Sequence, residues 1–179
     1  ASSGILPTRY DLSYVLITRT DPETGRIDIH TTYADKILST KNTNSNLRLQ
    51  PADKVRIFGV NENRSELLIP LIEKLRSQSY QRKTELIVNI QGHVKWPGNY
   101  PYSQGMMLSD LIKASADILP NTDLDYMLIV RTDSSGILKP FSFQLRDLFN
   151  QKSVKKDIKL QPRDTVIVFQ GASLGLEDY

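Results

Sequence analysis

Asp11-Leu12-Ser13-Tyr14-Val15-Leu16-Ile17-Thr18-Arg19-Thr20-Asp21 returns 112 residues later as Asp123-Leu124-Asp125-Tyr126-Met127-Leu128-Ile129-Val130-Arg131-Thr132-Asp133. The runs differ only where Ser13, Val15 and Thr18 give way to Asp125, Met127 and Val130. A second pair follows at an offset of 111: Leu49-Gln50-Pro51-Ala52-Asp53-Lys54-Val55-Arg56-Ile57-Phe58 becomes Leu160-Gln161-Pro162-Arg163-Asp164-Thr165-Val166-Ile167-Val168-Phe169. The slip falls in a turn, where Thr20 to Gly25 is one residue longer than Thr132 to Gly136, and hairpin loops absorb such changes. Similarity of this length and order marks an internal duplication.

Ala1-Ser2-Ser3-Gly4-Ile5-Leu6-Pro7 matches Ala114-Ser115-Ala116-Asp117-Ile118-Leu119-Pro120, where the first copy stops short of anything equivalent to Glu85 to Lys113. The first copy is therefore expected to be truncated, and the chain to be a fragment of a longer protein. Residues 1–59 read as a truncated first repeat, 60–84 as a connecting helix and linker, 85–171 as a complete second repeat and 172–179 as a tail.

In the second repeat, Glu85 to Ile90 reads as a strand. Trp96-Pro97-Gly98-Asn99 turns the chain into a second strand at Tyr100 to Tyr102. Leu108, Leu111 and Ile112 share one side of a short helix over Leu108 to Ala114. Tyr126 to Val130, Gly136 to Phe143 and Thr165 to Phe169 are strand-like, with a helical turn at Leu145 to Phe149. The order β-β-α-β-β-(α)-β suits an α+β, β-grasp-like layout, with a helix across one face of a mixed sheet.

Between the copies, Leu67, Leu68, Leu71, Ile72 and Leu75 form an apolar stripe that predicts a helix over Glu66 to Arg76. With Ser65 as its cap, Pro70 falls past the first turn, so the helix kinks or starts nearer Pro70. Ser77 to Thr84 reads as a polar linker. The first copy keeps strands near Tyr14 to Thr18, Arg26 to Thr31 and Lys54 to Phe58, and its open face needs a cover. The connecting helix is the nearest candidate, and exchange of segments between chains in a homo-oligomer is the second.

These residues resemble the SLBB (soluble ligand-binding β-grasp) domains of bacterial outer-membrane polysaccharide export proteins. The resemblance lies in Val88-Asn89-Ile90-Gln91-Gly92-His93-Val94, Pro97-Gly98-Asn99-Tyr100-Pro101, Leu108-Ser109-Asp110-Leu111-Ile112, Arg131 and Leu160-Gln161-Pro162-Arg163-Asp164. It spans the second copy and the surviving half of the first. Two places depart from the family's pattern. Ala114-Ser115-Ala116 stands for Ala-Gly-Gly, and Ala52 or Arg163 stands for the glycine before the closing Asp. Left-handed backbone at a residue with a side chain costs on the order of 1 kcal/mol, so locally rebuilt turns are expected. The resemblance implies a non-catalytic periplasmic module, tied to the outer membrane through the full-length protein. Its partners would be other export-complex subunits and the exported polysaccharide.

The residues themselves offer little for catalysis. His30 and His93 sit in separate copies, and His93 beside a hairpin reads as a surface residue. No HxxxH, phosphate loop or GxSxG motif is present, so no metal, cofactor or nucleophile is assigned. Asp53 and Asp164 would tempt a paired-carboxylate glycosidase reading, but they are equivalent positions, each after a proline turn, which fits a carboxylate capping its own turn. Trp96, Tyr100 and Tyr102 with Lys95 are the binding candidates, as flat rings for sugar stacking. With period-two spacing at least one face of this strand should be buried, and a role for Tyr100 and Tyr102 in the sheet face and core is the stronger competitor. Two functions compete, a packing module and a carbohydrate-binding domain that touches the polymer directly; an enzyme is far behind.

Composition agrees with a globular domain at 39 % hydrophobic and 24 % charged residues. The net charge of +3 is spread along the chain, and Lys152, Lys155, Lys156 and Lys159 read as a solvated loop, so nucleic acid is not expected. Without cysteine, disulfides and thiolate chemistry are excluded while the compartment stays open. Runs such as Leu67 to Leu71 are too short to span a bilayer. With no basic and apolar leader at Ala1, any targeting segment is expected to have been removed.

Overall fold

The computed structural model describes residues 9–33, 49–82, 84–133, 135–149 and 156–172. The match at Ala1 to Pro7, Lys152 and Lys155 of the basic run, and the tail from residue 173 lie outside these residues.

The protein is α+β, with two sheets. Strands β1 (Tyr10–Thr20), β2 (Ile27–Thr32) and β3 (Lys54–Gly59) form an antiparallel sheet in the order β2-β1-β3. Strands β4 (Ile87–Gly92), β5 (Gly98–Pro101), β6 (Thr122–Thr132), β7 (Leu138–Phe143) and β8 (Thr165–Gln170) form a second sheet in the order β5-β4-β8-β6-β7. Its β4–β8 pair is parallel and the others are antiparallel. The helices among the described residues are α1 (Arg64–Leu67), α2 (Ile69–Arg82), α3 (Leu108–Ala114) and α4 (Arg146–Phe149).

The duplication holds at the level of register. Val15 pairs with Thr32 and Ile57, and its counterpart Met127 pairs with Phe143 and Val168. The register shifts between Asp11 and Val15 in β1 and between Thr122 and Met127 in β6. At each shift an aspartate bonds its own backbone: Asp11 Oδ1 accepts from Ser13 N at 2.8 Å, and Asp123 Oδ1 from Asp125 N at 2.8 Å.

The closing turns also match. Asp53 Oδ2 accepts from Gln50 N at 2.8 Å, and Asp164 Oδ2 accepts from Gln161 N at 2.8 Å. Each carboxylate is then forked by the arginine one residue before the end of the central strand of the repeated three, Arg19 in β1 and Arg131 in β6. Arg19 Nε and Nη2 donate to Asp53 Oδ1 and Oδ2, both at 2.8 Å, and Arg131 does the same to Asp164 at 2.9 and 2.7 Å. A bidentate guanidinium with a backbone N–H fixes the turn against strand β1 or β6. These turns are not rebuilt: Ala52 and Arg163 each keep φ at 71°, and Ala116 and Asp117 after α3 lie at 63° and 80°. The left-handed backbone persists without glycine because the carboxylate fork holds the two closing turns in place.

The units differ in which face joins the shared core, although Val15 and Ile17 on the other side of β1 are buried as well. Tyr14, Leu16, Ile29 and Phe58 lie on one face of the first sheet and join a single apolar core with Leu68, Ile72 and Leu75 of the connector. That core continues into Ile87, Val88, Ile90, Tyr100, Leu111, Met127, Ile129 and Val168 of the second unit. In β6 the buried Met127 and Ile129 are instead the counterparts of Val15 and Ile17, so the second sheet turns its opposite face to the core. The connector lies beside the first unit as expected, but it packs most closely on β4 and β5 of the second, and two further differences stand out. Leu67 is exposed, and a cleft of about 400 Å³ remains between Leu16, Thr18 and the Leu67, Leu71 and Lys74 side.

The connector is capped by Asn63, not Ser65, and breaks at Leu68 so that Pro70 enters the first turn of α2, where its missing N–H costs nothing. Helix α2 runs on to Arg82, through most of the expected linker. That segment lacks an apolar stripe, and it is tied down by polar links: Gln78 Oε1 accepts from Ile27 N at 3.3 Å, and Arg76 Nε donates to Glu85 Oε1 at 3.0 Å.

Arg64 is fully buried where the two units meet. Its Nη1 donates to the carbonyls of Lys113 and Ala114 at 2.8 and 3.3 Å, at the C-terminus of α3, where the Lys113 carbonyl also accepts the Ala116 N–H. Its Nη2 pairs with Asp11 of β1, and the guanidinium lies 5.5 Å from the Phe58 ring and 5.9 Å from Tyr14. Burial raises the Asp11 pKa, but hydrogen bonds from Ser13 and Arg64 outweigh it and hold the carboxyl below its ordinary value.

Removing one partner of a buried, hydrogen-bonded pair strands the other, so Arg64→Ala is expected to lower the unfolding free energy by roughly 3–5 kcal/mol, read by urea denaturation. A loss under about 1 kcal/mol would show that the guanidinium is dispensable. The fork from Arg19, with the Gln50 N–H, holds Asp53 down to about 2 from 3.8. A depressed carboxyl stabilises the fold above its unfolded pKa, and that contribution fades as pH falls from near 3.8 toward 2. Asp53→Asn is expected to lower the melting temperature at neutral pH and to flatten its decline over that acid window; an unaltered acid profile would refute the linkage.

Candidate functional site

The four residues singled out for sugar stacking do not share a surface. Strands β4 and β5 carry them on a hairpin whose tip is bonded to the segment after α3: Lys95 N donates to Asp117 O at 3.0 Å and Trp96 N to Ser115 O at 2.9 Å. Gly92 starts this tip at φ 86°, and a Cβ there would sit 2.0 Å from the Val168 carbonyl oxygen, so only glycine fits. Gly98 presses on Ser65 of α1, where a Cβ would approach the serine Cβ to 2.6 Å. The Pro-Gly turn is therefore a packing contact with the connector.

Tyr100 is a core residue, 0 % exposed, and is removed as a stacking surface. Its hydroxyl donates to Trp96 O at 2.6 Å, and burial pushes its pKa well up. Trp96 is half-buried. Lys95 lies 5.7 Å over its ring while its Nζ donates to Val60 O at 2.8 Å, so the lysine fastens the hairpin to the first unit. His93 Nε2 donates to Pro120 O at 2.7 Å, a structural bond at the surface.

Tyr102 alone of the four borders a cleft of about 810 Å³. Strand β2 contributes Asp28, His30 and Thr31 to it, and the loop after β5 contributes Tyr102, Ser103 and Gln104. Thr31 and Ser103 hydroxyls meet across it at 2.9 Å, and the Tyr102 hydroxyl donates to Leu160 O at 3.3 Å. The volume is that of a small-ligand site, and the lining of hydroxyls, an amide, an imidazole and a ring suits a hydroxyl-rich ligand. The cleft's two carboxylates are engaged: Asp28 pairs with Arg26 at 3.2 Å, and Asp110 Oδ2 accepts the Met107 N–H at 2.9 Å. Among the described residues, no group of three His, Asp or Glu could hold a metal ion. The sequence did not bring this cleft together because its walls belong to different units; His30 and Tyr102 were singled out separately.

No family model matches the chain, and no characterised protein matches it.

The placement of Tyr100 has a direct check. Tyr100→Phe is expected to cost about 0.5–1.5 kcal/mol from the lost bond to Trp96, and Tyr100→Ala about 3–5 kcal/mol from the cavity, by urea unfolding. A harmless Tyr100→Ala would return this residue to the surface.

Proposed function

We propose that the chain is a non-catalytic periplasmic module of a polysaccharide export protein, acting in the packing of repeats or subunits, with the cleft beside Tyr102 contacting the polymer. The observation that carries this reading is the interface at Arg64. Two copies of one sheet unit are joined through a buried charge and one shared core, which is what a stacking module requires. The resemblance of the sequence to SLBB repeats supplies the export context. The second unit's order, a hairpin, then α3, then β6, β7 and β8 around a mixed sheet, is compatible with a β-grasp. No helix among the described residues is long and apolar enough to cross a membrane. Outer-membrane association is assigned to the full-length protein.

The second reading, a domain that binds the exported polysaccharide as its main task, is favoured by the cleft. An acid pair for glycoside hydrolysis has no support in either reading, because Asp53 and Asp164 are each locked into an arginine fork.

Titration with neutral and acidic oligosaccharides, followed by NMR, is expected to shift His30, Tyr102, Ser103 and Gln104 with millimolar affinity and no turnover, and Tyr102→Ala is expected to abolish the shifts. Shifts centred on Trp96 would relocate the contact, silence at every glycan tried would remove the polymer from the proposal, and sustained cleavage would overturn the non-catalytic assignment.

A further inference from the structure

The first unit's docking face has a more open duplicate on the second, where Leu128, Val130 and Ile167 are half-buried and the aromatic pair beside them is exposed. Tyr14 and Phe58 stack with centroids 5.6 Å apart and are 2 % and 0 % exposed beneath Arg64. Their counterparts Tyr126 and Phe169 keep the pairing, with centroids 5.5 Å apart, yet are 46 % and 38 % exposed. Asp123 stands where Asp11 stands. Its Oδ1 is held by the N–H groups of Asp125 and Tyr126 at 2.8 and 3.2 Å, and among the described residues no hydrogen bond occupies Oδ2, the oxygen that in Asp11 receives Arg64.

The rest of this face has become more apolar than the original. Thr18 and Arg56 of the covered face are replaced by Val130 and Ile167, and Leu138, 63 % exposed, stands where Ile27 packs against the core. A cation is at hand, Arg146, but it pairs with Asp125, and that pair is more than half exposed. At the offset of 111 the residue matching Arg64 is Gly175, so this sequence does not supply a second arginine at the corresponding place.

We infer that the β6–β8 face docks an amphipathic helix of a partner protein, one carrying an arginine in its first turn and apolar residues four, eight and eleven positions later. That is the spacing of Leu68, Ile72 and Leu75 from Arg64 in the interface already formed. The arginine lies over Tyr126 and Phe169 and pairs with Asp123, and the apolar side covers Leu128, Val130 and Ile167. This deepens the packing role proposed above and rests on that part of it, independently of any polymer.

The probe is a synthetic peptide of residues 61–78 of this sequence, held helical by a lactam between positions 73 and 77, both solvent-exposed in the connector. It is added to the full chain and followed by fluorescence anisotropy and hydroxyl-radical footprinting, with circular dichroism confirming that the peptide is helical and each variant folded. Saturating peptide is expected to protect Tyr126 and Phe169 from labelling. Asp123→Asn in the protein, or Arg64→Gln in the peptide, is expected to weaken binding about tenfold, as loss of a charge-assisted contact does. No protection at millimolar peptide, or binding indifferent to Asp123→Asn, overturns the inference. Self-association of the chain alone that disappears in Tyr126→Ser would instead give the face to a second copy. Glycan titration at the Tyr102 cleft reads the export proposal separately, so the two can fail independently.

Discussion

Arg64 sets the arrangement of everything around it. A guanidinium fully removed from water is tolerable only where good acceptors meet it, and here Nη1 and Nη2 find theirs on opposite sides of the chain, while Nε has none among the described residues. Asp11 belongs to the first sheet and the Lys113 and Ala114 carbonyls to the end of α3 in the second unit. Pulling the units apart would leave a charge, a carboxylate and the Ala114 carbonyl needing water at once. The apolar core supplies most of the attraction, while this one residue fixes the angle and register at which the units meet.

The duplication shows how one sheet can serve two orientations. Both copies keep the strand order, the register shift and the arginine fork at the closing turn, which are the parts that stabilise the unit internally. What changed is which side of the sheet meets the shared core. The first unit uses the side bearing Tyr14, Leu16 and Phe58, whereas the second uses the side bearing Met127, Ile129 and Val168. Because side chains alternate along a strand, both sides of the repeated sequence must stay fairly apolar to permit this.

The strands and the duplication were legible because identical residues recur in register, and the turn role of Asp53 and Asp164 followed from their place after proline. Their partners were legible in principle: Arg19 and Arg131 recur with them at separations of 34 and 33, a paired charge that the alternation of apolar residues does not bring to notice. Four things were not legible. Arg64 reads as a solvated residue before an apolar stripe, since nothing local reveals the aromatic rings that cover it. The second half of α2 has no periodic pattern, being held by end contacts. The Tyr102 cleft forms only when β2 meets the loop after β5, and Tyr100 parts from Tyr102 because β5 ends at Pro101, which alternation along an assumed strand does not reveal.

The parallel β4–β8 pair has a consequence for the order in which the molecule is made. Asn89 pairs with Thr165, 76 residues further on, and β8 lies between β4 and β6, so the five-stranded sheet has no centre until the last strand arrives. During synthesis the β1–β3 sheet can close early on local contacts, but Ile87, Val88 and Ile90 must wait with one edge unpaired while the intervening chain emerges. Closing so long a loop before any reward is slow, which makes the interval before β8 docks the period of greatest exposure to aggregation and to cellular proteases.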